Sequence, residues 1–140
     1  MYRLYTYIFV IIALIWSIPA FAGSAKVVSL DKEFSLGIGQ SASIDGEKLV
    51  IKFKAVLEDS RCPINVVCVL AGNGKVEFEV LDIDGQNKTV ILNTEEEPKS
   101  VTLKGHTLKL ISLNPPRVDG VSIPQRDYSI TLLVERKSIN

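Results

Sequence analysis

From residue 24 onward apolar and polar residues alternate with a period of two, and no stretch holds a helical period over ten residues. The alternation is punctuated by Asp45-Gly46, Asp84-Gly85 and Gly105-His106, each between two strand-like runs. These pairs have the chemistry of two-residue hairpin loops, in which positive φ matches the twist of the flanking strands. A two-residue loop also dictates register. Around Asp45-Gly46 it sets Ile38 opposite Phe53, Leu36 opposite Ala55, Phe34 opposite Leu57 and Ala42 opposite Leu49. All of these share one face, while Lys48, Lys52 and Lys54 share the other with Ser35, Ser41 and Ser43. Around Gly105-His106, Leu103 meets Leu108 and Val101 meets Leu110, with Thr102, Lys104, Thr107 and Lys109 facing away. The Asp84-Gly85 hairpin is less regular. Phe78 meets Ile91, but Glu79 meets Val90 and Glu77 meets Leu92, so a bulge or cover on both faces is expected there.

Lys26 to Leu30 is a short strand suited to a sheet edge, and Tyr128, Ile130, Leu132 and Val134 alternate as the last strand. Between Asn114 and Arg126 lie Pro115, Pro116, Asp119-Gly120 and Pro124, which forbid a central strand and stiffen a connection. Seven to eight short antiparallel strands predict an all-β chain, a single immunoglobulin-like β-sandwich over residues 23–140. A small β-barrel is the alternative. No internal repeat, linker or second domain interrupts the pattern.

Residues 1–22 break the alternation. Arg3 is followed by the uncharged apolar run Tyr7 to Ile18, then Pro19 and the small-x-small pattern Ala20-Phe21-Ala22. This is the order of a signal peptide, cut after Ala22. The apolar run is shorter than the roughly 20 residues that span a bilayer, so an uncleaved anchor is the weaker reading. No cysteine lies near the cut, which excludes a lipid-modified mature N terminus. The mature chain is therefore expected to be secreted or periplasmic, without a membrane span.

Composition narrows the partners. A formal net charge of +0 argues against nucleic acid or an anionic membrane, both of which bind through clustered Lys and Arg. Past the signal only Phe34, Phe53, Phe78 and Tyr128 remain as aromatics, too few for an evident stacking platform. No cofactor is implied.

The interruption that stands out is Asp59-Ser60-Arg61-Cys62-Pro63-Ile64-Asn65-Val66-Val67-Cys68-Val69-Leu70-Ala71-Gly72, which holds both cysteines of the chain. In an exported protein, Cys62 and Cys68 predict a disulfide. Closing a loop of about seven residues is worth roughly 2.4 kcal/mol in the chain-entropy model, so the bond shapes a loop rather than holding the domain together. Two readings stand side by side. In one, a rigid loop is presented to a partner, with Ile64, Val66 and Val67 as an apolar tip, Arg61 as a directional charge and Pro63 removing freedom. In the other, a stapled crossover tucks those apolar residues under the sheet ends and Asp59 pairs locally with Arg61.

The run Asp59-Ser60-Arg61-Cys62-Pro63, then Cys68 and Ala71-Gly72, resembles the motif D-S-R-C-P, spacer, C-x-W-A-G of a family of small secreted proteins and lipoproteins of prokaryotes. Pro115-Pro116, Ile123-Pro124 and Asp127-Tyr128 look like the ending of the same family. The likeness is specific over the cysteine loop and loose elsewhere, and Leu70 stands at the motif's tryptophan. It implies a compact extracytoplasmic β fold and no activity.

Other chemistry is thin. His106, the one histidine, falls in an expected exposed turn, and no serine or cysteine sits in a nucleophile motif beside it. Asp82-Ile83-Asp84-Gly85 has oxygen ligands at alternate positions but lacks the distal glutamate of a calcium loop. Glu95-Glu96-Glu97-Pro98 is most simply a solvated loop, and copper or zinc would want more His, Met or Cys. Asn87-Lys88-Thr89 is a formal glycosylation sequon. No metal site and no catalytic residue is assigned. The expectation is an exported binding or accessory module, not an enzyme, that offers the Cys62–Cys68 loop to another extracytoplasmic protein. The alternatives are a hydrolase inhibitor with Arg61-Cys62-Pro63 as bait, or a hydrolase using the carboxylates Glu58 and Asp59.

Overall fold

The computed structural model describes residues 24–137; the signal-peptide reading of residues 1–22 lies outside them. The described residues form nine strands: β1 (Lys26–Val28), β2 (Glu33–Gly37), β3 (Ser41–Ile44), β4 (Val50–Asp59), β5 (Gly74–Leu81), β6 (Asn87–Asn93), β7 (Ser100–Leu103), β8 (His106–Asn114) and β9 (Ser129–Arg136). They make two sheets, β1-β3-β4-β5-β6 and β2-β9-β8-β7, and neither closes into a barrel. The β-sandwich expectation holds. All pairings are antiparallel except β1 with β3.

The inner faces meet in one core. Phe53 and Phe78 lie with ring centroids 6.1 Å apart, surrounded by Ile51, Val76, Val80, Leu92, Leu108, Ile130, Leu132 and Val134, all buried. Strand alternation places these residues inward as the pattern demands. The outer face of the five-stranded sheet carries a charged ladder instead, with Lys54 Nζ 3.1 Å from Glu79 and Lys52 Nζ 3.9 Å from the same carboxylate. Exposed pairs of this kind contribute little stability. They keep that face wet.

The registers correct the sequence reading. Phe34 and Leu36 do not face Leu57 and Ala55 across a hairpin; they pair with Leu132 and Ile130 of β9. The first arm of the expected hairpin is cut at Gly37 to Gln40, where Gln40 N–H donates to the Gly37 carbonyl at 3.1 Å and Gly39 has φ +78°. That turn passes the chain from one sheet to the other and adds a strand to the expected number. The next hairpin closes on Ile44 N–H to the Leu49 carbonyl, 3.0 Å, so its loop is Asp45 to Lys48. Ala42 therefore meets Ile51 rather than Leu49.

The β5–β6 hairpin has a three-residue loop after Asp82, whose N–H donates to the Gln86 carbonyl at 2.9 Å. Phe78 is thereby set against Val90 and Val76 against Leu92, not Phe78 against Ile91. The β7–β8 loop is Lys104-Gly105, with φ +41° and +86°, rather than Gly105-His106. His106 consequently opens β8 opposite Leu103 and is only 6% exposed. It is a core residue.

Burial of His106 has a measurable consequence. Neither ring nitrogen has a hydrogen-bond partner, and Nε2 sits 3.5 Å from Glu47 without hydrogen-bond alignment. A buried polar group without a bond costs about 1–3 kcal/mol, whereas an apolar residue of similar shape costs none of that. His106→Leu is therefore expected to raise stability by about 1 kcal/mol, read as an upward shift of the urea midpoint. A fall in the midpoint would mean that the Glu47 contact outweighs the desolvation of the ring.

The braced disulfide loop

Two bulges shape the end of β4 that leads into the cysteine loop. Its register against β5 slips between Phe53 and Ala55 and again between Val56 and Glu58. Beyond the second slip the two chains continue as a ladder past the strand ends. Ser60 N–H donates to the Asn73 carbonyl at 2.8 Å, and Cys62 N–H donates to the Ala71 carbonyl at 2.7 Å. The Cys62–Cys68 disulfide, with Cα atoms 5.9 Å apart, closes the loop just above that ladder.

Beneath it lies a polar clasp. Arg61 lays its guanidinium side-on against Asp59, Nε to Oδ1 and Nη2 to Oδ2, both at 2.7 Å. The other edge of the same group reaches the end of β8, with Nη1 donating to the Leu113 carbonyl and Nη2 to the Pro115 carbonyl at 2.9 Å. Tyr128 completes the clasp by donating its hydroxyl to Asp59 Oδ2 at 3.0 Å. Both partners of the pair are well covered, with side chains 14% and 7% exposed. Such bidentate, charge-assisted bonds are the strong ones.

Titration follows the geometry. Burial works to raise the Asp59 pKa, but the Arg61 bonds and charge, with the Tyr128 hydroxyl, outweigh it and hold the carboxyl below its ordinary value. Burial, then the bond to the Asp59 carboxylate, pushes Tyr128 up. The tyrosine is a donor at neutral pH.

A second set of bonds braces the loop's flank and base. Arg117 Nη1 donates to the Arg61 carbonyl at 2.7 Å, Ile64 N–H donates to the Arg117 carbonyl at 2.9 Å, and Asp119 N–H donates to Asn65 Oδ1 at 2.8 Å. Below, the buried Asn73 side chain donates to Asn93 Oδ1 at 2.9 Å and accepts from Glu95 N–H at 3.2 Å. The loop is thus tied to β6, β8 and the connection from Asn114 to Arg126.

Above this base the apolar residues turn outward. Val67 and Val69 are fully exposed, Ile64 and Leu70 are 70% and 80% exposed, and Val66 is partly covered. The tucked-under reading does not hold for them. Arg61, in contrast, is no directional charge: its guanidinium is consumed in the clasp, and an inhibitor with Arg61 as its bait loses that residue. Pro63 is half-buried at the loop's foot. Val69 and Leu70 extend the exposed tip beyond the expected Ile64, Val66 and Val67, although their place between Cys68 and Gly72 could have drawn them in.

The remaining candidates resolve structurally. Glu58 and Asp59 are neighbours on an extended strand and point to opposite sides, Glu58 toward Lys75 at 3.5 Å and Asp59 into the clasp. They do not face each other as an acid and base pair. Asp82 Oδ1 accepts from the backbone N–H groups of Asp84 and Gln86 at 3.0 and 2.9 Å, while Oδ2 faces Lys88 Nζ at 3.0 Å. Those contacts, Lys88 first, hold its pKa low. Asp84 pairs with Lys104, so this turn is committed to its own bonds. Among the described residues no group of three His, Cys, Asp or Glu side chains converges as a metal site, and no helix is long and apolar enough to cross a membrane.

No protein-family model, no curated protein and no solved structure matches this chain.

Proposed function

We propose that the protein is an exported binding module that presents the apolar tip of the Cys62–Cys68 loop to another extracytoplasmic protein. The observation that carries this reading is the contrast between tip and base. Ile64, Val67, Val69 and Leu70 are exposed on a segment whose foot is fastened by the clasp and the disulfide. Apolar surface left outside on a well-tied segment marks interaction sites, because a monomer gains nothing by exposing it. A stiff loop also loses little conformational entropy on docking, which favours binding.

Export supplies the redox setting. A disulfide persists outside the cytoplasm, and the reading of residues 1–22 as a signal peptide cut after Ala22 agrees with it. The likeness of Asp59–Pro63 and Cys68–Gly72 to a family of secreted prokaryotic proteins supports the same compartment. A binding role, rather than catalysis, accounts for a loop whose outward residues are hydrocarbon.

The test is site-specific photocrosslinking in the intact envelope, from a benzophenone side chain placed at Val67. One discrete adduct is expected, absent when the probe replaces Lys52 on the charged face and lost when Leu70→Asp is added. That substitution should leave folding stability within about 0.5 kcal/mol, as for other surface changes. Adducts shared by both probe positions, or none from Val67, would overturn the proposal.

A further inference from the structure

Beside the loop runs an unfilled strand edge. β3 covers only the first part of β4, pairing Ser41, Ala42 and Ser43 with Lys52, Ile51 and Val50, so among the described residues no strand flanks residues 54–59 on that side. One position there is already served by a substitute. The Gln125 carboxamide accepts from Val56 N–H at 3.1 Å and donates to the Val56 carbonyl at 2.6 Å, the two-point contact that a neighbouring strand would make. Unpaired strand edges are templates for further pairing.

The bulge sets which residue comes next. Ser60 N–H bonds across to Asn73, and Gly74 bonds away from β4 to Thr94 through both its N–H and its carbonyl. Asp59, which lies opposite Gly74, therefore turns its own N–H and carbonyl away from β5. With Leu57 as the extra residue, Val56 and Asp59 address the same open side although they are three apart. That side is a groove of about 280 Å³, lined by Val56 to Asp59, by Tyr128, and by Arg117, Val121 to Ile123 and Gln125 of the facing connection.

The charges in the groove are unequal. Asp59 is neutralised by Arg61, and Glu58 pairs with Lys75. Arg117 has no carboxylate partner among the described residues; its one side-chain bond, through Nη1, goes to the Arg61 carbonyl. The rest of a guanidinium fork that suits a carboxylate is left over. At this volume the groove falls just below the roughly 300–1,000 Å³ of small-molecule sites, so it suits the last residues of a chain better than a larger ligand.

We propose that the open edge of β4 docks the C-terminal end of a partner polypeptide, which pairs its backbone with Asp59 and sets its terminal carboxylate on Arg117. Strand addition and carboxylate capture are both established ways of holding a peptide end. The site is separate from the apolar tip and stands on different residues.

The experiment uses random octapeptides displayed with free C termini, selected against the folded, oxidised protein. Enriched peptides are then synthesised as the acid and as the C-terminal amide. The acid is expected to shift the backbone amide resonances of Leu57 to Asp59 saturably, and the amide to bind about tenfold or more weakly. Arg117→Gln should remove that difference, whereas Val67→Asp should leave the affinity unchanged. Failure to enrich any peptide, equal binding of acid and amide, or loss of binding on Val67→Asp would each overturn the proposal.

Discussion

Replacing Arg61 with alanine is expected to destabilise the fold by about 3–5 kcal/mol, because it strands a covered carboxylate. One guanidinium joins Asp59 at the end of β4 to the Leu113 and Pro115 carbonyls at the end of β8, so it spans the two sheets. Its removal leaves Asp59 with Tyr128 as its side-chain partner and takes the Arg61 donor from both carbonyls. Domains of this kind are stable by only about 5–15 kcal/mol, so the loss is a large share of the whole. Chemical denaturation measures it. Arg61→Lys should recover only part of the loss, since an ammonium cannot reproduce the fork. Arg126→Ala, which removes an exposed arginine 3.6 Å from Asp127, should change stability by less than about 0.5 kcal/mol. An inhibitor's bait residue would behave in the opposite way, losing function without losing stability.

The same clasp predicts the response to acid. The Asp59 carboxyl titrates below its ordinary value in the folded protein, so the unfolded chain takes up that proton first as pH falls. Its contribution is complete above the unfolded pKa of about 4 and is lost as pH drops through the folded value. Glu47, held low chiefly by Arg136, and Asp82, held low chiefly by Lys88, add to the same slope. The wild-type stability should therefore fall between about pH 5 and pH 2, and Asp59→Asn should flatten that fall.

Gly72→Ala is expected to be nearly as damaging. Gly72 has φ +70°, and a Cβ built there would lie 1.8 Å from the Ser60 carbonyl oxygen. The obstacle is backbone, and it cannot retreat without breaking the Ser60–Asn73 and Cys62–Ala71 bonds that form the loop's neck. The left-handed conformation costs about 1–2 kcal/mol for an L residue, and overpacking adds about 1–3. Gly120 has the same sign of φ but meets nothing within 4 Å, so Gly120→Ala should show the conformational cost alone. A thermal melt of the two variants side by side separates the two contributions.

The inward faces were legible in the sequence because period-two alternation records burial directly. Register was not, and the reason is the same periodicity. Sliding the β3–β4 or β7–β8 pairing by two residues keeps Ala42, Ile51, Val101 and Leu108 inward, so the pattern cannot tell the true loop from its neighbour. His106 went astray through that slip, from turn to core. Alternation ran on through Ile38 and failed only at Gln40, a polar residue at an inward position and the single mark of the passage between sheets. At the site, the Asp59–Arg61 pairing is local and could be weighed from the sequence. Tyr128 and Gln125 each reach across 69 positions, and Arg117 across 56. Contacts of that range leave no mark in spacing. The outward turn of Val67, Val69 and Leu70 likewise depends on the clasp, which decides how far the loop stands clear of the sheet ends.

Everything proposed for the loop depends on a fastened base beneath a free tip, and amide hydrogen exchange measured residue by residue from Asp59 to Asn73 reads both at once. The N–H groups of Ser60, Cys62, Ile64 and Asn73, each hydrogen-bonded, should be protected, while those of Val67, Val69 and Leu70 exchange close to the rate of an open chain. Uniformly fast exchange across the segment would contradict the account, since the loop would then be a slack tether. Strong protection at Val67 to Leu70 would contradict it equally, by placing the tip inside the fold.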